Sequence, residues 1–215
     1  MSLAKKRGQI TIFLLMGFAL LIGTMLVLHT TNTAKKVSSA PQEQSNIISV
    51  RDSAEFFTQS CLDNTLKDAL DELGENGGYI YRTPNLKIQY TEDYMFTFLY
   101  IDRTDFLPKL QDVQSDIEKY INENIRYCVD DFAIYEKQGW SMEIPRIDSR
   151  ITLAESDVTA LLDFPVKFTR DKTSFSLDKF FSRSQIPIKK ILKEASNVIN
   201  DAKDAVAQLA DLRDL

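Results

Sequence analysis

The residue types in this chain that could carry out chemistry are few. Among 215 residues there is one histidine, His29, and there are two cysteines, Cys61 and Cys128. A single imidazole excludes histidine-cluster metal sites, and any catalytic triad would have to use His29. No stretch reads as a glycine-rich phosphate loop, so no cofactor is predicted and we do not expect an enzyme.

The two cysteines fall on the apolar faces of two predicted helices. In a domain outside the cell, two such cysteines pair more often than they stay reduced. A bond from Cys61 to Cys128 would contribute on the order of 4 kcal/mol by the chain-entropy model. The alternative is a pair of buried thiols.

Carboxylates and aromatic rings are the other candidates for a site. Three acidic pairs, Asp71-Glu72, Asp130-Asp131 and Glu155 with Asp157, could bind calcium or act as a glycosidase couple. Their spacing matches no calcium loop and the sequence places no pair across a cleft, so solvated faces and turns explain them. Seven aromatic residues of the predicted strands could form a sugar-binding platform, although cross-strand packing is the more ordinary interpretation. They are Tyr79, Tyr81, Tyr90, Tyr94, Phe96, Phe98 and Tyr100. We therefore predict no catalytic residue and no metal site.

Charge is distributed very unevenly along the chain. The first 36 residues contain five of the 26 cations and no acid, so the rest holds 21 cations against all 31 acids. A body with a net charge of −10 argues against nucleic acid as a partner, because binding phosphate requires clustered Lys and Arg.

A membrane segment is predicted near the N-terminus. Residues 10–28 are nineteen residues without a charge. As a helix they would extend about 28 Å, close to the thickness of the hydrocarbon core of a bilayer. Lys5, Lys6 and Arg7 precede them, which predicts a cytoplasmic N-terminus, an extracellular body and His29 at the far boundary.

The residues around the start of this span resemble a prepilin processing site. Residues 5–13, KKRGQITIF, look like the class III signal peptide of archaeal type IV pilins. The resemblance implies that a prepilin-type peptidase cuts between Gly8 and Gln9, and that the helix assembles subunits into a filament. It also implies an assembly face made by Ile12, Phe13, Leu14, Phe18 and Leu21. The family usually has Glu where this chain has Phe13, and an uncleaved signal anchor is the alternative.

The rest of the chain predicts an α+β ectodomain. A polar linker at 30–46 precedes a helix at about 46–73, which Gly74 stops. Strands follow at 79–81, 86–91 and 94–101, with Glu92-Asp93 as a hairpin turn. A helix at about 107–136 leads to a meander of three strands at 140–154, 157–169 and 173–184. Pro165 indicates an edge position or a bulge in the middle strand.

The C-terminal segment, 188–215, has a heptad pattern. Its apolar residues are spaced alternately by four and three, which is typical of a coiled-coil seam. They are Ile191, Ala195, Val198, Ala202, Ala205, Leu209 and Leu212. Two interpretations stay open, a helix packed on its own sheet and a contact with another copy. The helical pattern runs to the chain end without a capping residue, which favours a chain that continues beyond Leu215.

A second resemblance covers about residues 46–200. The segments Ser60-Cys61-Leu62, Leu73-Gly74, Gly77-Gly78-Tyr79-Ile80, Tyr120-Ile121 and Tyr127-Cys128-Val129, with Phe132, resemble a group of single-span surface proteins of small archaea. It implies location and architecture but no activity.

The predicted organisation is a basic leader (1–8), a transmembrane or filament-core helix (9–29), a linker (30–46), an α+β ectodomain (47–187) and a heptad helix (188–215). The predicted function is that of a self-associating, pilin-like surface subunit. The alternative is an uncleaved, single-pass adhesion or binding module.

Overall fold

The computed structural model describes residues 7–81, 86–90, 95–101 and 103–213. Side chains are described for 14–26, 47–81, 86–90, 97–101 and 103–208. The chain divides into two compact units, Met1–Asp52 and Ser53–Leu215. The fold is α+β with antiparallel sheets and packed helices, as predicted. Lys5 and Lys6 of the predicted leader lie outside the described residues.

A single helix replaces the two helices and the linker predicted for the first third of the chain. Helix α1 runs from Arg7 to Glu75, so the separate linker at 30–46 is wrong. The polar residues there are mostly compatible with a helix, and no glycine lies between Gly23 and Gly74. Polarity alone did not mark a break. Pro41 lacks an amide hydrogen and disfavours the interior of a helix, yet α1 continues through this position.

Within the second unit, the end of α1 buries one face. Ala54, Cys61, Leu66, Ala69 and Leu73 are at most 3% exposed, and all five match the predicted apolar face. With the buried Thr58 included, these residues recur at intervals of three to five, which turns one stripe of the helix toward the core.

Glycines end α1 slightly later than expected. Gly74 remains helical, and the chain turns at Gly77 and Gly78, both with positive φ. A β-carbon on Gly78 would lie only 2.7 Å from Cγ of Pro108, so glycine is required there for close backbone approach.

The segment after this turn forms short strands only. Strand β1 (Ile88–Tyr90) pairs with β2 (Met95–Thr97), which confirms the predicted hairpin, although its turn lies outside the described residues. Strands β3 (Tyr100–Ile101) and β4 (Thr104–Asp105) form a second pair. The single strand predicted at 94–101 is therefore divided between β2 and β3. The strand predicted at 79–81 is absent, because the carboxylate of Asp116 accepts the backbone N–H groups of Ile80 and Tyr81.

The second long helix is shorter than predicted. Helix α2 (Leu110–Val129) ends in a 3₁₀ turn at Asp130–Phe132, followed by the short helix α3 (Ala133–Glu136). All three residues of the turn have φ between 45° and 62°. This left-handed turn breaks the helix predicted at 107–136 and coincides with complete burial of the Phe132 side chain.

The main sheet is the predicted meander, except that the strand predicted at 140–154 is divided into two, with residues 144–147 outside either strand. Strands β5 (Ser141–Glu143) and β6 (Asp148–Leu153) both pair with β7 (Val158–Arg170), which pairs along its other side with β8 (Thr173–Ser184). Thus β7 is central and Pro165 is not at an edge. The register shifts between Asp163 and Val166, so Pro165 occupies a bulge, the other predicted possibility.

Side chains from the helices bond to two strands of this sheet at backbone groups. The N–H of Ile151 in β6 donates to Oε1 of Glu118 in α2 over 2.9 Å. Nε2 of Gln59 in α1 donates to the carbonyl oxygen of Phe181 in β8, also over 2.9 Å. Both strands lie beside β7, so each bond protects backbone that another strand could otherwise pair with.

Candidate assembly surfaces

The first candidate surface is the apolar part of α1. From Leu14 to Leu26, every large apolar side chain is exposed by 52–76% of its surface. Leu14, Phe18 and Leu21 of the predicted assembly face belong to this set, at 66%, 63% and 69%. The exposed apolar side chains of this segment lie on all sides of the helix rather than on one stripe.

Several predicted residues of this region can be placed on the backbone only. Gly8, Gln9, Ile12 and Phe13 lie within the first two turns of α1, but their side-chain surroundings are outside the described residues. The same holds for His29. Within the described part of the chain, no helix holds a stretch long and apolar enough to cross a membrane.

Cys61 and Cys128 form a disulfide that ties α1 to the end of α2. Their Cα atoms are 5.6 Å apart and 67 positions separate them in the chain, which confirms the predicted pairing. The expectation that both lie on apolar faces holds only for Cys61, which is 2% exposed. Cys128 is exposed, because Ile125 and Val129 carry the buried face of α2 at this end.

Helix α4 (Ile188–Arg213) is held to the body along one side. Ile188 and Ile199 are buried at 8% and 7% exposure. Nζ of Lys203 lies 2.9 Å from Oδ2 of Asp105, and Lys189 forms an ion pair with Glu155 at the start of the helix. These contacts fix which face of α4 the body covers.

The heptad seam of α4 lies beside that covered face. Ile191 and Val198 are 52% and 68% exposed, Ala202 and Ala205 are exposed, and Ala195 is half-buried. Leu209 and Leu212 fall in α4, but their side chains are outside the described residues. Because helical residues advance by about 100° each, the seam is rotated by roughly 90° from Ile199. Packing on the body therefore leaves the seam uncovered.

An apolar cavity of about 330 Å³ lies beneath the first turns of α4. Leu70, Leu73, Val113, Leu192 and Ala195 contribute to its walls. Ile191 of the exposed seam lies at this cavity as well. The first turns of α4 are therefore packed less tightly against α1 and α2 than the interior of the sheet layer.

A smaller, polar pocket of about 170 Å³ lies near the end of α1. Glu72, Asn76, Tyr79, Tyr81 and Thr97 are among the residues around it. The sequence singled out the two tyrosines, and it named Glu72 only within the acidic pair Asp71-Glu72, which was assigned to a solvated face. It did not indicate Asn76, because an exposed polar residue near a helix end carries no distinctive pattern.

Hydrogen bonds to α2 fix the position of the Tyr79–Tyr81 segment. The hydroxyl of Tyr81 donates to Oε2 of Glu123 over 2.7 Å, and Nζ of Lys119 lies 3.8 Å from the centre of the Tyr81 ring. Burial, with this hydrogen bond to Glu123, raises the pKa of Tyr81 well above its ordinary value. Burial also raises the pKa of Asp116, although its bonds to two backbone N–H groups oppose the shift. These bonds hold the Tyr79–Tyr81 segment in a fixed position against α2.

No group of three or more potential ligand side chains that could hold a metal ion occurs among the described residues. Comparison with protein-family models, with curated proteins and with solved structures found no match to this chain.

Proposed function

We propose that this protein is a pilin-like subunit of the cell surface, anchored by the apolar part of α1 before assembly and packed through it afterwards. The observation that carries the proposal is that every large apolar side chain from Leu14 to Leu26 exposes more than half of its surface. Nine large apolar side chains in water would cost on the order of 15–25 kcal/mol relative to buried ones. That exceeds the net stability of a typical domain, about 5–15 kcal/mol. Lipid or other copies of the helix must therefore cover this segment.

The position of the leader, directly before the apolar part of α1, supports a subunit whose leader is removed by a peptidase. The resemblance of residues 5–13 to a class III signal peptide places a peptidase site between Gly8 and Gln9, one residue before the apolar run. Removal of the leader would take away Lys5, Lys6 and Arg7, the charges that hold the N-terminus in the cytoplasm. A processed helix could then leave the bilayer.

The uncovered seam of α4 supports a second contact between copies. Ile191 and Val198 expose more than half of their surfaces at positions that a coiled-coil partner would bury. We propose that α4 contributes to self-association once α1 has brought subunits together.

Mass spectrometry of the N-terminus tests the proposal most directly. The protein isolated from its native envelope should begin at Gln9, and Gly8→Val should retain the leader. Gly17→Ala is the matched control, because a methyl group there meets no atom within 4 Å and lies away from the cleavage site. An intact leader in the wild type would overturn the proposal and favour the anchored adhesion module.

Electron microscopy of sheared surface material tests assembly. We expect filaments from the wild type, and fewer or shorter filaments from Val198→Asp, which places a charge in the seam. Asn200→Asp is the control on the opposite face of α4, where the residue is also exposed. By the resemblance, Phe13→Glu restores the acid that the family uses and should strengthen assembly. Equal filaments from Val198→Asp and Asn200→Asp would remove the seam from the proposal.

A further inference from the structure

The pocket between α1 and the Tyr79–Tyr81 segment has walls that could recognise a ligand. Its volume is about 170 Å³, and both aromatic and polar side chains surround it. Glu72 lines the pocket and is an exposed residue, so its carboxylate can be reached from solvent.

The hydrogen bonds around the pocket leave mainly acceptors unused. The Tyr79 hydroxyl donates to the carbonyl oxygen of Phe106 over 2.6 Å, and the Tyr81 hydroxyl donates to Glu123. The Thr97 hydroxyl donates to the carbonyl oxygen of Asn76 over 3.0 Å. All three hydroxyl protons are therefore committed, whereas their oxygens still have lone pairs.

Glu72 adds further acceptor capacity. One N–H of Asn76 donates to Oε2 of Glu72 over 3.0 Å, and the carboxylate can accept several more bonds. A sugar hydroxyl would need donors as well as acceptors, and apart from the second side-chain N–H of Asn76 these side chains have none left. A group with donors only, such as an alkylammonium, matches what remains.

The charges in contact with the walls have the corresponding sign. The described contacts bring the carboxylates of Glu72, Asp116 and Glu123 to this pocket and its tyrosines, together with one ammonium, that of Lys119. The same ammonium already lies 3.8 Å from the centre of the Tyr81 ring. This contact shows the cation–π chemistry that an incoming ammonium would use at the tyrosines of the pocket.

We propose that this pocket binds an alkylammonium group, with the carboxylate of Glu72 as its charged acceptor and the rings of Tyr79 and Tyr81 as its walls. The group can come from a free amine or from a lysine side chain. The proposal does not depend on filament assembly, since the pocket lies within the second unit of one chain.

Calorimetric titration of the full chain in non-ionic micelles tests this assignment. The probes are n-butylammonium, 1-butanol as its neutral counterpart, and methyl β-glucoside. We expect saturable binding of n-butylammonium with a dissociation constant on the order of a millimolar, and no measurable binding of the other two. A further ligand, Nα-acetyl-lysine methylamide, keeps its side-chain ammonium. If it binds more tightly than n-butylammonium, a lysine side chain is the source of the group; if it binds more weakly, the source is a free amine.

Two neutralising substitutions locate the site. Glu72→Gln keeps the shape of the side chain and should weaken binding by about tenfold, because a charge-assisted hydrogen bond is lost. Glu75→Gln, three residues further along α1 and outside the pocket lining, should leave the affinity unchanged. Fluorescence of the buried Trp140 verifies that both variants are folded. Unaltered affinity in Glu72→Gln, equal binding of 1-butanol, preferred binding of the glucoside or a lack of saturable binding would each overturn the proposal.

Discussion

Removing the disulfide between Cys61 and Cys128 should destabilise the body by an amount that follows from the chain length it closes. The bond joins residues 67 positions apart. The chain-entropy relation gives about 4.4 kcal/mol for a loop of that size at 25 °C. We expect the double variant Cys61→Ala, Cys128→Ala to lose that much free energy of unfolding, a large part of a typical domain's total.

Urea unfolding of the full chain in non-ionic micelles, followed by the fluorescence of Trp140, measures this loss. Trp140 is the one tryptophan of the chain and is 1% exposed, so its emission reports unfolding of the body. Because Cys128 is exposed, a phosphine reductant should reach the bond in the folded wild type and lower its stability to that of the double variant. The double variant itself should not respond to the reductant.

The control is Tyr127→Ala, next to Cys128 and 81% exposed, which should change the free energy of unfolding by less than about 0.5 kcal/mol. A loss below about 1 kcal/mol in the double variant would refute the reasoning. The unfolded chain would then already be compact enough to keep the two positions close without the bond.

Two further pairs of measurements test local features of the fold. Gly74→Ala should raise the free energy of unfolding by about 0.5–1 kcal/mol, because the position is helical and a methyl group meets no atom within 4 Å. Gly77→Ala should instead lower it by about 1–2 kcal/mol, since φ is +66°; equal effects in thermal unfolding would contradict the assigned conformations. The Arg183 guanidinium lies 2.6 Å from the Asp157 carboxylate and lowers the pKa of that carboxyl in the folded protein. The ion pair therefore stabilises the fold fully above the ordinary aspartate pKa of about 3.9. This stabilisation is lost as the pH falls through the lower pKa of the folded state. Asp157→Asn should therefore be less stable than the wild type at pH 6 and nearly equal to it at pH 2; the same difference at both values would exclude this ion pair as the cause.

Periodicity predicted those parts of the fold in which one face of an element is buried. The buried stripe of α1 was predicted from the spacing of apolar residues, because core packing enforces the same spacing. Strands β7 and β8 were predicted together with the turns that bound them, at residues 155–157 and 170–172. The missing N–H of Pro165 predicted either an edge position or a bulge, and the pairing of β7 on both sides selects the bulge.

Other features depended on contacts that spacing does not encode. Helix α2 ends at Asp130 without a glycine or proline to mark the end. Three consecutive residues there adopt positive φ, and the Phe132 side chain is buried at the same turn. The end of α2 therefore depends on tertiary packing, which local propensity does not encode. The continuity of α1 was missed because a polar composition is compatible with both a linker and a helix.

The candidate surfaces were predicted unequally. The apolar run and the heptad spacing were visible in the sequence, but the choice between a seam that faces the body and one left uncovered depended on where Ile188, Ile199 and Lys203 attach α4. The polar pocket was invisible, since Glu72 and Asn76 acquire a role only when the Tyr79–Tyr81 segment is bonded across to α2.

The bond from Gln59 to β8 has a consequence for the order in which the body can fold. Its donor and acceptor residues are 122 positions apart, so the end of α1 emerges from the ribosome long before the strand that it contacts. The sheet strands β6 to β8 are neighbours in sequence and can pair among themselves quickly. The helix of the body that is synthesised first is thus among the last elements to form all of its contacts. Until Phe181 has emerged, the Gln59 side chain lacks this partner, and the apolar face of the helix can pack only on elements already synthesised, which leaves it open to contacts with other nascent chains.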